Sequence, residues 1–387
     1  MVKLTWQNKV IVASGALFIA YAIFHLISVV LFDHKEEYEP LIISQNKIKG
    51  NAIYDPSIEY DATGEKGWLA YSIIDRKEDF PHPRIHIGLG YSTDSGKSWF
   101  YADPAFRSKK ATLYAKNGTD IVAEGIWRYE VPTLVYDPDD KGKEWKIYAY
   151  KYFWDKKGNI DLARKYAAIV YKYSNDPYTA WSKEKWLFSA NLAYPPAPYK
   201  NLIRLHLNRL HSSLKDISYY SDPGAFYKNG ILYIALSAYK NTTNPDRIIL
   251  IGSADHGKSW IYLSTLLSSQ NAKNYGDYTR VNGASIAEQE GRTFLMVSFG
   301  NETIQHQGTS IFEFSSLETG VLATDKNGLP QLMKYIPVYK GALSEIGGGQ
   351  SDYHEFNIKG GIMMPQVSTT KRGSPFKIFK TYKDLLP

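Results

Sequence analysis

Polar residues that could do acid–base chemistry recur along the chain at the start of similar short segments. They are Asp55, Glu130, Asp222, Asn282 and His354, and successive members are 75, 92, 60 and 72 residues apart. Three carboxyl groups that share one cavity can divide into a protonated acid and an ionised base or nucleophile, which is the set that glycoside hydrolysis needs. The pattern therefore predicts Asp55, Glu130 and Asp222 as catalytic residues.

The segments that follow these residues read as a strand, a turn and a second strand, and they divide the chain from Lys49 onwards into units of about 70 residues. A fixed period is typical of repeat architectures, and a blade of four strands suits this length. The first strand of each blade lines the channel of a propeller, so its polar residues would meet at one mouth. Residues 50–387 are predicted to form an all-β, five-bladed β-propeller. A six-bladed propeller and packed β-sandwiches are the alternatives.

Residues beside the ring could bind a sugar. Arg128 and Arg280 each stand two positions before a ring member, and an arginine can hold an anionic group through two hydrogen bonds. Both could instead be surface or strand-pairing residues. Trp127 could stack on a sugar or pack between blades. With Asn282 and His354, these residues form the predicted substrate-binding set.

His354 has two interpretations. It could lie beside a channel cation such as calcium, or it could be a buried histidine bonded to Ser351 or Asp352. The predicted reaction requires no cofactor. The chain has no cysteine, which excludes disulfides and thiolate metal sites, and no metal ligand set is predicted.

One octapeptide occurs twice, at 92–99 and 253–260, with six of eight positions identical. Its aspartate can accept backbone hydrogen bonds, its glycine can take positive φ, and its tryptophan can be buried under the next strand. Each copy is predicted to be a structural turn rather than a catalytic element. The predicted turn residues are Asp94, Gly96, Trp99, Asp255, Gly257 and Trp260.

The N-terminal region contains 23 residues, 10–32, without Asp, Glu, Lys or Arg, which is long enough to span a bilayer. Lysines precede this segment and acidic residues follow it, so residues 1–9 are predicted to be cytoplasmic and the propeller to lie outside the cytoplasm. The segment is predicted to be an uncleaved single-pass anchor, with a cleaved signal peptide as the alternative. Residues 33–49 read as a tether.

Two further features concern organisation and partners. Leucines at helical spacing in 199–217 follow a proline-rich break and predict a helical insertion on the propeller. The chain has 31 Tyr, 16 Phe and 9 Trp, which favours aromatic binding surfaces such as those that recognise carbohydrate. The net charge of +7 is spread over the chain without a dense basic run, so no nucleic-acid partner is predicted.

The segments 55–57, 130–132 and 222–226 resemble blade signatures of five-bladed glycosidases of the arabinanase and β-xylosidase type. This resemblance implies that Asp55 is a general base, Glu130 a general acid and Asp222 the residue that modulates their pKa values. Those families present Asp, Asp and Glu in chain order, whereas this chain presents Asp, Glu and Asp, so the roles could be permuted.

The two octapeptides resemble the Asp-box, or BNR repeat, of sialidase-like propellers. A sialidase needs an arginine triad for the substrate carboxylate, and Arg84-Ile85-His86 lacks the proline of the usual first signature. Glycoside hydrolysis is therefore the expected function. A non-catalytic propeller that binds a glycan or a protein partner at the membrane, and a sialidase, are the alternatives.

Overall fold

The structure is a computed structural model that describes residues 38–44, 52–75, 80–115, 119–190, 205–240, 245–302, 306–340, 344–346, 349–357, 361–368, 377–381 and 383–386. The chain divides into two compact units, Met1–Glu39 and Pro40–Pro387. The predicted anchor, 10–32, lies outside the described residues. Within the ranges given above, no helix is long and apolar enough to cross a bilayer.

Five antiparallel sheets form the second unit, and each sheet is one blade. Two short strands, β1 (Tyr38–Pro40) and β2 (Ile43–Ser44), come first, in the segment predicted to be a tether. Blade 1 has, from the channel outwards, β3 (Ala52–Tyr60), β4 (Gly67–Asp75), β5 (Arg84–Ser92) and β6 (Trp99–Phe106). Blade 2 has β8 (Ile121–Tyr136), β9 (Trp145–Asp155), β10 (Ala167–Ser174) and β11 (Lys185–Ser189), and β7 (Lys109–Tyr114) pairs with the start of β8.

The remaining blades repeat this order. Blade 3 has β12 (Tyr219–Lys228), β13 (Ile231–Tyr239), β14 (Arg247–Ser253) and β15 (Ile261–Ser268). Blade 4 has β16 (Arg280–Gln289), β17 (Arg292–Gly300) and β18 (Thr309–Ser316), with β19 (Val321–Leu322) and β20 (Leu332–Ile336) both paired to β18. Blade 5 contains β21 (Tyr339–Lys340), β22 (Ser344–Ile346), β23 (Met363–Ser368) and β24 (Lys377–Thr381). The prediction of an all-β, five-bladed propeller is confirmed, and the six-bladed and sandwich alternatives are wrong.

Two short helices connect strands, α1 (Ile160–Lys165) and α2 (Ser269–Ala272). The predicted helical insertion is wrong over its described part, because 205–217 contains two 3₁₀ turns, Leu207–Arg209 and Ser212–Leu214. His211 separates them by adopting extended backbone and accepting from the Ser213 amide. Residues 199–204 lie outside the described residues. The leucine spacing still reflects burial, since Leu207 and Leu214 pack into the core.

Apolar cores lie between neighbouring blades. Trp68 and Leu89 of blade 1 share one cluster with Leu134, Ile147 and Phe153 of blade 2. Corresponding clusters join blade 2 to blade 3, blade 3 to blade 4, and blade 5 to blade 1. Burial of apolar area therefore stabilises each blade only in the presence of its neighbours.

Each of the first four inner strands contains a register shift. One residue at each shift has positive φ: Asp55 at 49°, Val131 at 50°, Asp222 at 49° and Gly283 at 62°. Such a conformation costs a non-glycine residue about 1–3 kcal/mol, and most for a β-branched one. Strain is therefore concentrated at one level of the channel.

Directly after the register shift, the inner strands are tied to each other by short polar links. The Ser57 hydroxyl oxygen accepts a hydrogen bond from the Leu134 amide of blade 2 at 2.9 Å. The Thr133 hydroxyl oxygen, at the same place in blade 2, accepts from the Ala225 amide of blade 3 at 2.9 Å. In blades 1 and 2, a hydroxyl group at the same position of the inner strand thus orients the next blade.

The ring of links continues with different chemistry in the other blades. Gly224 of blade 3 lies so close to blade 4 that a Cβ there would stand 2.1 Å from the Ala284 carbonyl oxygen. Ser285 of blade 4 donates to the Ser351 carbonyl of blade 5 at 2.6 Å. A side chain at Gly224 would therefore push blades 3 and 4 apart.

Blade 5 closes the ring onto blade 1. The Ile58 amide donates to Asp352 Oδ2 at 2.8 Å, across nearly the whole length of the chain. The strap formed by residues 41–44 bridges the same two blades: the Leu41 amide donates to the Ile378 carbonyl of β24 at 2.9 Å, and β2 pairs in parallel with β6.

The first octapeptide forms the predicted turn between β5 and β6. Asp94 accepts from the amide and hydroxyl of Ser98 at 3.0 and 2.6 Å, and the Gly96 amide donates to the Ser92 hydroxyl at 2.8 Å. Gly96 has φ of 81°, and Trp99 is buried. A Cβ on Gly96 would stand 2.3 Å from Asn357 Oδ1 of blade 5, so the turn contacts the preceding blade.

The second octapeptide repeats this geometry between β14 and β15. Asp255 accepts from the amide and hydroxyl of Ser259 at 2.8 and 2.6 Å, Gly257 has φ of 89°, and Trp260 is buried. His256 Nδ1 contacts Asp137 Oδ2 of blade 2 at 3.0 Å. Both octapeptides thus form turns between outer strands, and both turns contact the blade before their own.

The closing bond of the ring can be tested with Asp352→Ala. The substitution removes the acceptor of the Ile58 and Tyr353 amides, which are buried, so we expect the free energy of unfolding to fall by about 2 kcal/mol or more at pH 4, where the carboxyl group, whose pKa burial raises to about 7, carries no charge in the folded protein. Urea denaturation measures this. Asp103→Ala, at an exposed ion pair with Arg107, should change stability by less than about 0.5 kcal/mol. Equal effects of the two substitutions would contradict the closing role.

Candidate active site

A cavity of about 590 Å³ opens where the inner strands of the propeller begin, and the three predicted catalytic carboxylates all line it. The register shifts bring them there, since each lies at or directly before a residue with positive φ. The other side chains on the wall are mainly aromatic or amide-bearing. They include Tyr54, Tyr150, Tyr152, Trp154, Arg164, Tyr219, Tyr239, Asn282, His306 and Gln350.

Asp55 is buried in the cavity wall of blade 1. Its Oδ2 accepts from the Ser72 hydroxyl at 3.3 Å, and the backbone N–H of Gln350 also donates to this carboxylate. Burial raises the pKa of Asp55 well above its usual range, and the negative charges of Glu130 and Asp222 raise it further. Asp55 therefore holds its proton more strongly than an ordinary aspartate.

Glu130 receives two phenolic hydrogen bonds on one oxygen. The hydroxyls of Tyr54 and Tyr152 donate to its Oε1 at 2.9 and 2.7 Å. Burial raises the pKa of Glu130, while these two donors and the positive charge of Arg128 act in the opposite direction by stabilising the carboxylate. Both phenols bind Oε1, so Oε2 is the oxygen that neither of them occupies.

Asp222 occupies the place in blade 3 that Asp55 occupies in blade 1. Burial raises its pKa to about 6, the charge of Glu130 adds to this, and hydrogen bonds with Ser221 and Ser237 oppose it. Ser237 also accepts from the Gly283 amide of blade 4 at 3.3 Å. One serine on the second strand thus holds both the carboxylate and the next blade.

A serine on the second strand has the same double role in blade 1. Ser72 is the cross-strand partner of Tyr54, as Ser237 is of Ser221. Its hydroxyl donates to Asp55 and accepts from the Val131 amide of blade 2 at 3.0 Å. The carboxylates are therefore positioned by the contacts that align the blades.

Asn282 lines the cavity, as predicted for a substrate-binding residue, but Trp127, Arg128 and Arg280 are not among the residues of its wall. Side chains alternate along a strand, so Trp127 faces the opposite side of β8 from Glu130 and packs between blades 1 and 2 beneath the Lys151 ammonium group, 4.6 Å from its ring. The prediction that Trp127 contacts substrate is wrong.

The two arginines predicted to bind substrate contact protein groups outside the cavity wall. Arg128 donates to the Pro83 carbonyl at 2.5 Å and lies over the Trp154 ring at 4.5 Å, where its charge still acts on Glu130. Arg280 pairs with the exposed Glu302 at 2.8 Å. Neither lines the cavity as a ligand for an anionic sugar, which corrects the prediction for both.

His354 does not belong to the ring. It lines a separate cavity of about 270 Å³ at the far ends of the inner strands, where its Nε2 contacts Glu59 Oε1 at 2.9 Å between the rings of Tyr60 and Phe356. The blade 5 residue at the level of the carboxylates is Gln350, about 13 Å of extended chain away. Among the side chains that the structure describes, no group of three or more His, Asp or Glu is arranged to hold a metal ion.

Several residues of the cavity were not predicted. Tyr150, Tyr152 and Trp154 have a sequence signal, because aromatic residues alternate along β9 and so share one face. Tyr54 lies on β3, directly before Asp55. Gln350 has no such signal, since it lies among glycines in a segment without alternation.

Neither a protein-family model nor a curated protein matches this sequence. Solved structures resemble it in fold. A GH43 endo-arabinanase from Bacillus licheniformis has a TM-score of 0.50 and 13% identity over 87% of this chain and 95% of that chain. An α-L-arabinofuranosidase from Podospora anserina, in complex with cellotriose, has a TM-score of 0.48 and 11% identity over 90% and 98%. An arabinanase from Bacillus subtilis has a TM-score of 0.47 and 13% identity over 85% and 94%. The first of these shares the fold described above.

Removing one phenol should change the titration of Glu130. In Tyr152→Phe the carboxylate loses one of its two hydrogen-bond donors, so we expect the pKa of Glu130 to rise. Carboxyl ¹³C chemical shifts measured against pH report this. Tyr148→Phe, on the same strand but without a contact to Glu130, is the matched control. An unchanged Glu130 titration in Tyr152→Phe would contradict the assigned hydrogen bond.

The raised pKa of Asp222 predicts a pH-dependent gain in stability on substitution. Raising a pKa from 3.8 to about 6 corresponds to about 3 kcal/mol, a cost absent below about pH 4 and complete above about pH 6. Asp222→Asn should therefore gain up to that amount in urea denaturation at pH 7.5, and little at pH 4. Asp255→Asn should instead lose stability at pH 7.5, because hydrogen bonds lower the pKa of Asp255 to about 2. Destabilisation of Asp222→Asn at pH 7.5 would contradict this.

Proposed function

We propose that this propeller is a glycoside hydrolase whose active site is the cavity of Asp55, Glu130 and Asp222. The observation that carries the proposal is that three carboxyl groups line one cavity, Asp55 buried and Glu130 and Asp222 half-buried, and that the charge of Glu130 raises the pKa values of the other two. Carboxyl groups whose pKa values are raised by burial and by neighbouring charge cost a fold stability, whereas an acid–base reaction at a glycosidic bond requires carboxyl groups of differing pKa.

The contacts favour an exchange of the roles implied by the family resemblance. Asp55 keeps its proton because it is buried and faces two other carboxylates, so it suits the general acid that protonates the leaving oxygen. Burial raises the pKa of Glu130, but two phenols and Arg128 oppose this by stabilising its carboxylate, so Oε2 suits the base that activates water, or the nucleophile. Asp222 contributes the negative charge that favours the protonated form of Asp55.

The aromatic part of the wall suits carbohydrate as the substrate class. Tyr150, Tyr152 and Trp154 project from β9, and Tyr219 and Tyr239 project from blade 3. Phenol and indole rings present an apolar face to the C–H groups of a sugar and a polar edge to its hydroxyls. We propose that a sugar unit lies against this wall with its glycosidic oxygen between Asp55 and Glu130.

The cellular location proposed for this activity is outside the cytoplasm, on a membrane. This rests on the apolar segment 10–32 and on the charges that flank it.

The roles can be separated by varying the leaving group of aryl glycosides. Asp55→Asn should lose about 10²- to 10⁴-fold in kcat/KM on substrates with poor leaving groups and far less on dinitrophenyl glycosides, which need no acid. Glu130→Gln should lose activity on both substrate types and regain part of it with added azide, a small anion that can replace the carboxylate.

Asp103→Asn, an exposed aspartate, is the control and should retain full activity. If Glu130→Gln instead shows the dependence on the leaving group and Asp55→Asn the rescue by azide, Glu130 is the general acid. Full activity of both site variants would remove the site assignment, and sugar binding by the wild type without hydrolysis of any glycoside would indicate a binding protein.

A further inference from the structure

Buried polar atoms without a hydrogen-bond partner occur in residues around the active-site cavity: one is Trp154 Nε1 of blade 2, a donor, and the others lie on the side formed by blades 4 and 5. Within the described part of the chain, no partner is found for Asn282 Oδ1, Gln350 Oε1, Ser298 Oγ or His306 Nδ1. All four belong to blades 4 and 5, and three of the four side chains line the cavity. The carboxylates of blades 1 to 3, by contrast, all have hydrogen-bond donors.

The positions of these atoms show that they belong to the active site. Asn282 stands directly before the register shift of blade 4, and Ser298 is its cross-strand partner. Gln350 connects this wall to the carboxylates. Its backbone N–H donates to Asp55, and its backbone packs against Gly283, where an added Cβ atom would lie 3.5 Å from the Cα of Gln350. Asn282 and Gln350 are each only 2% exposed.

Unpartnered buried polar atoms are rare in folded proteins, because each costs the free energy of its lost hydration. Amide oxygens are acceptors and need a donor. A hydroxyl group supplies one, whereas a carboxylate or phosphate would bring further acceptors beside three carboxyl groups. The ring of His306 is neutral near pH 7, since burial and the charge of Arg280 lower its pKa to about 4, so it adds no positive charge beside Asn282. The positive charge of the wall is that of Arg164, which acts on Tyr219 and Tyr239 of blade 3.

Building on the proposed hydrolase function, we propose that Asn282 and Gln350 determine specificity: their side-chain oxygens accept hydrogen bonds from two hydroxyl groups of a neutral sugar unit. The Gln350 side chain is held by a 3.5 Å contact from its Nε2 to the Pro223 carbonyl, which orients Oε1. A uronic acid, whose carboxylate can donate nothing at neutral pH, is discriminated against at the same position.

The test uses the full chain and aryl glycosides of one neutral sugar, each lacking a single hydroxyl group. We expect wild type to lose about 10- to 100-fold in kcat/KM when a recognised hydroxyl is absent, because the buried acceptor is left unpaired. Asn282→Leu and Gln350→Met should be slower on the complete substrate and should each lose this discrimination for one hydroxyl only. Gln350→Glu keeps an acceptor oxygen at this position and should therefore retain the discrimination between substrates with and without the hydroxyl group.

Gln331→Leu, an exposed amide of blade 4, is the matched control and should discriminate like wild type. Melting temperatures of all variants separate loss of folding from loss of recognition. Discrimination that is unchanged in both Asn282→Leu and Gln350→Met, or preference of wild type for the matching uronide, would overturn the proposal. If wild type hydrolyses nothing, calorimetric binding of the same deoxy sugars tests recognition independently of the reaction.

Discussion

Each of the first four inner strands shifts register once where it enters the cavity, and the arrangement of the site depends on that shift. In a regular strand adjacent side chains face opposite sides of the sheet. The residue with positive φ breaks this alternation, so two consecutive side chains line the cavity, such as Glu130 and Val131 in blade 2 or Ser221 and Asp222 in blade 3. Three carboxylates can therefore meet at one level without lengthening any strand.

This arrangement stores strain, and neighbouring blades maintain it. Val131 is β-branched and has φ of 50°, a conformation that the chain adopts only when its surroundings enforce it. The Ser72 hydroxyl holds the Val131 amide, while the ring from Ser57 to Asp352 fixes the strands just beyond. The hydrogen bonds that close the propeller therefore involve residues only one to three positions away from the bulges that carry the carboxyl groups.

Sequence reasoning predicted the fold and the three carboxylates because Asp-Pro and Glu-Val-Pro segments repeat with the blade period. It could not predict the register within each bulge: it aligned Glu130 with Asp55 and Asp222, although Val131 occupies the equivalent position. His354 was misplaced because blade 5 departs from the pattern, and Gln350 sits among glycines that carry no periodic signal. The tyrosines that bind Glu130 come from different blades, a proximity that only the closed ring creates.

The strap formed by residues 41–44 bears on the order in which the protein folds. Leu41 bonds to Ile378 of the last blade, while β2 pairs with β6 of the first. During synthesis on the ribosome, β6 is completed hundreds of residues before Ile378. The Leu41 amide therefore lacks its backbone acceptor until the last blade has formed. Closure is consequently a late, long-range event whose entropy cost is met only once blade 5 exists. Until then the acidic cavity lacks the wall that Gln350 of blade 5 contributes.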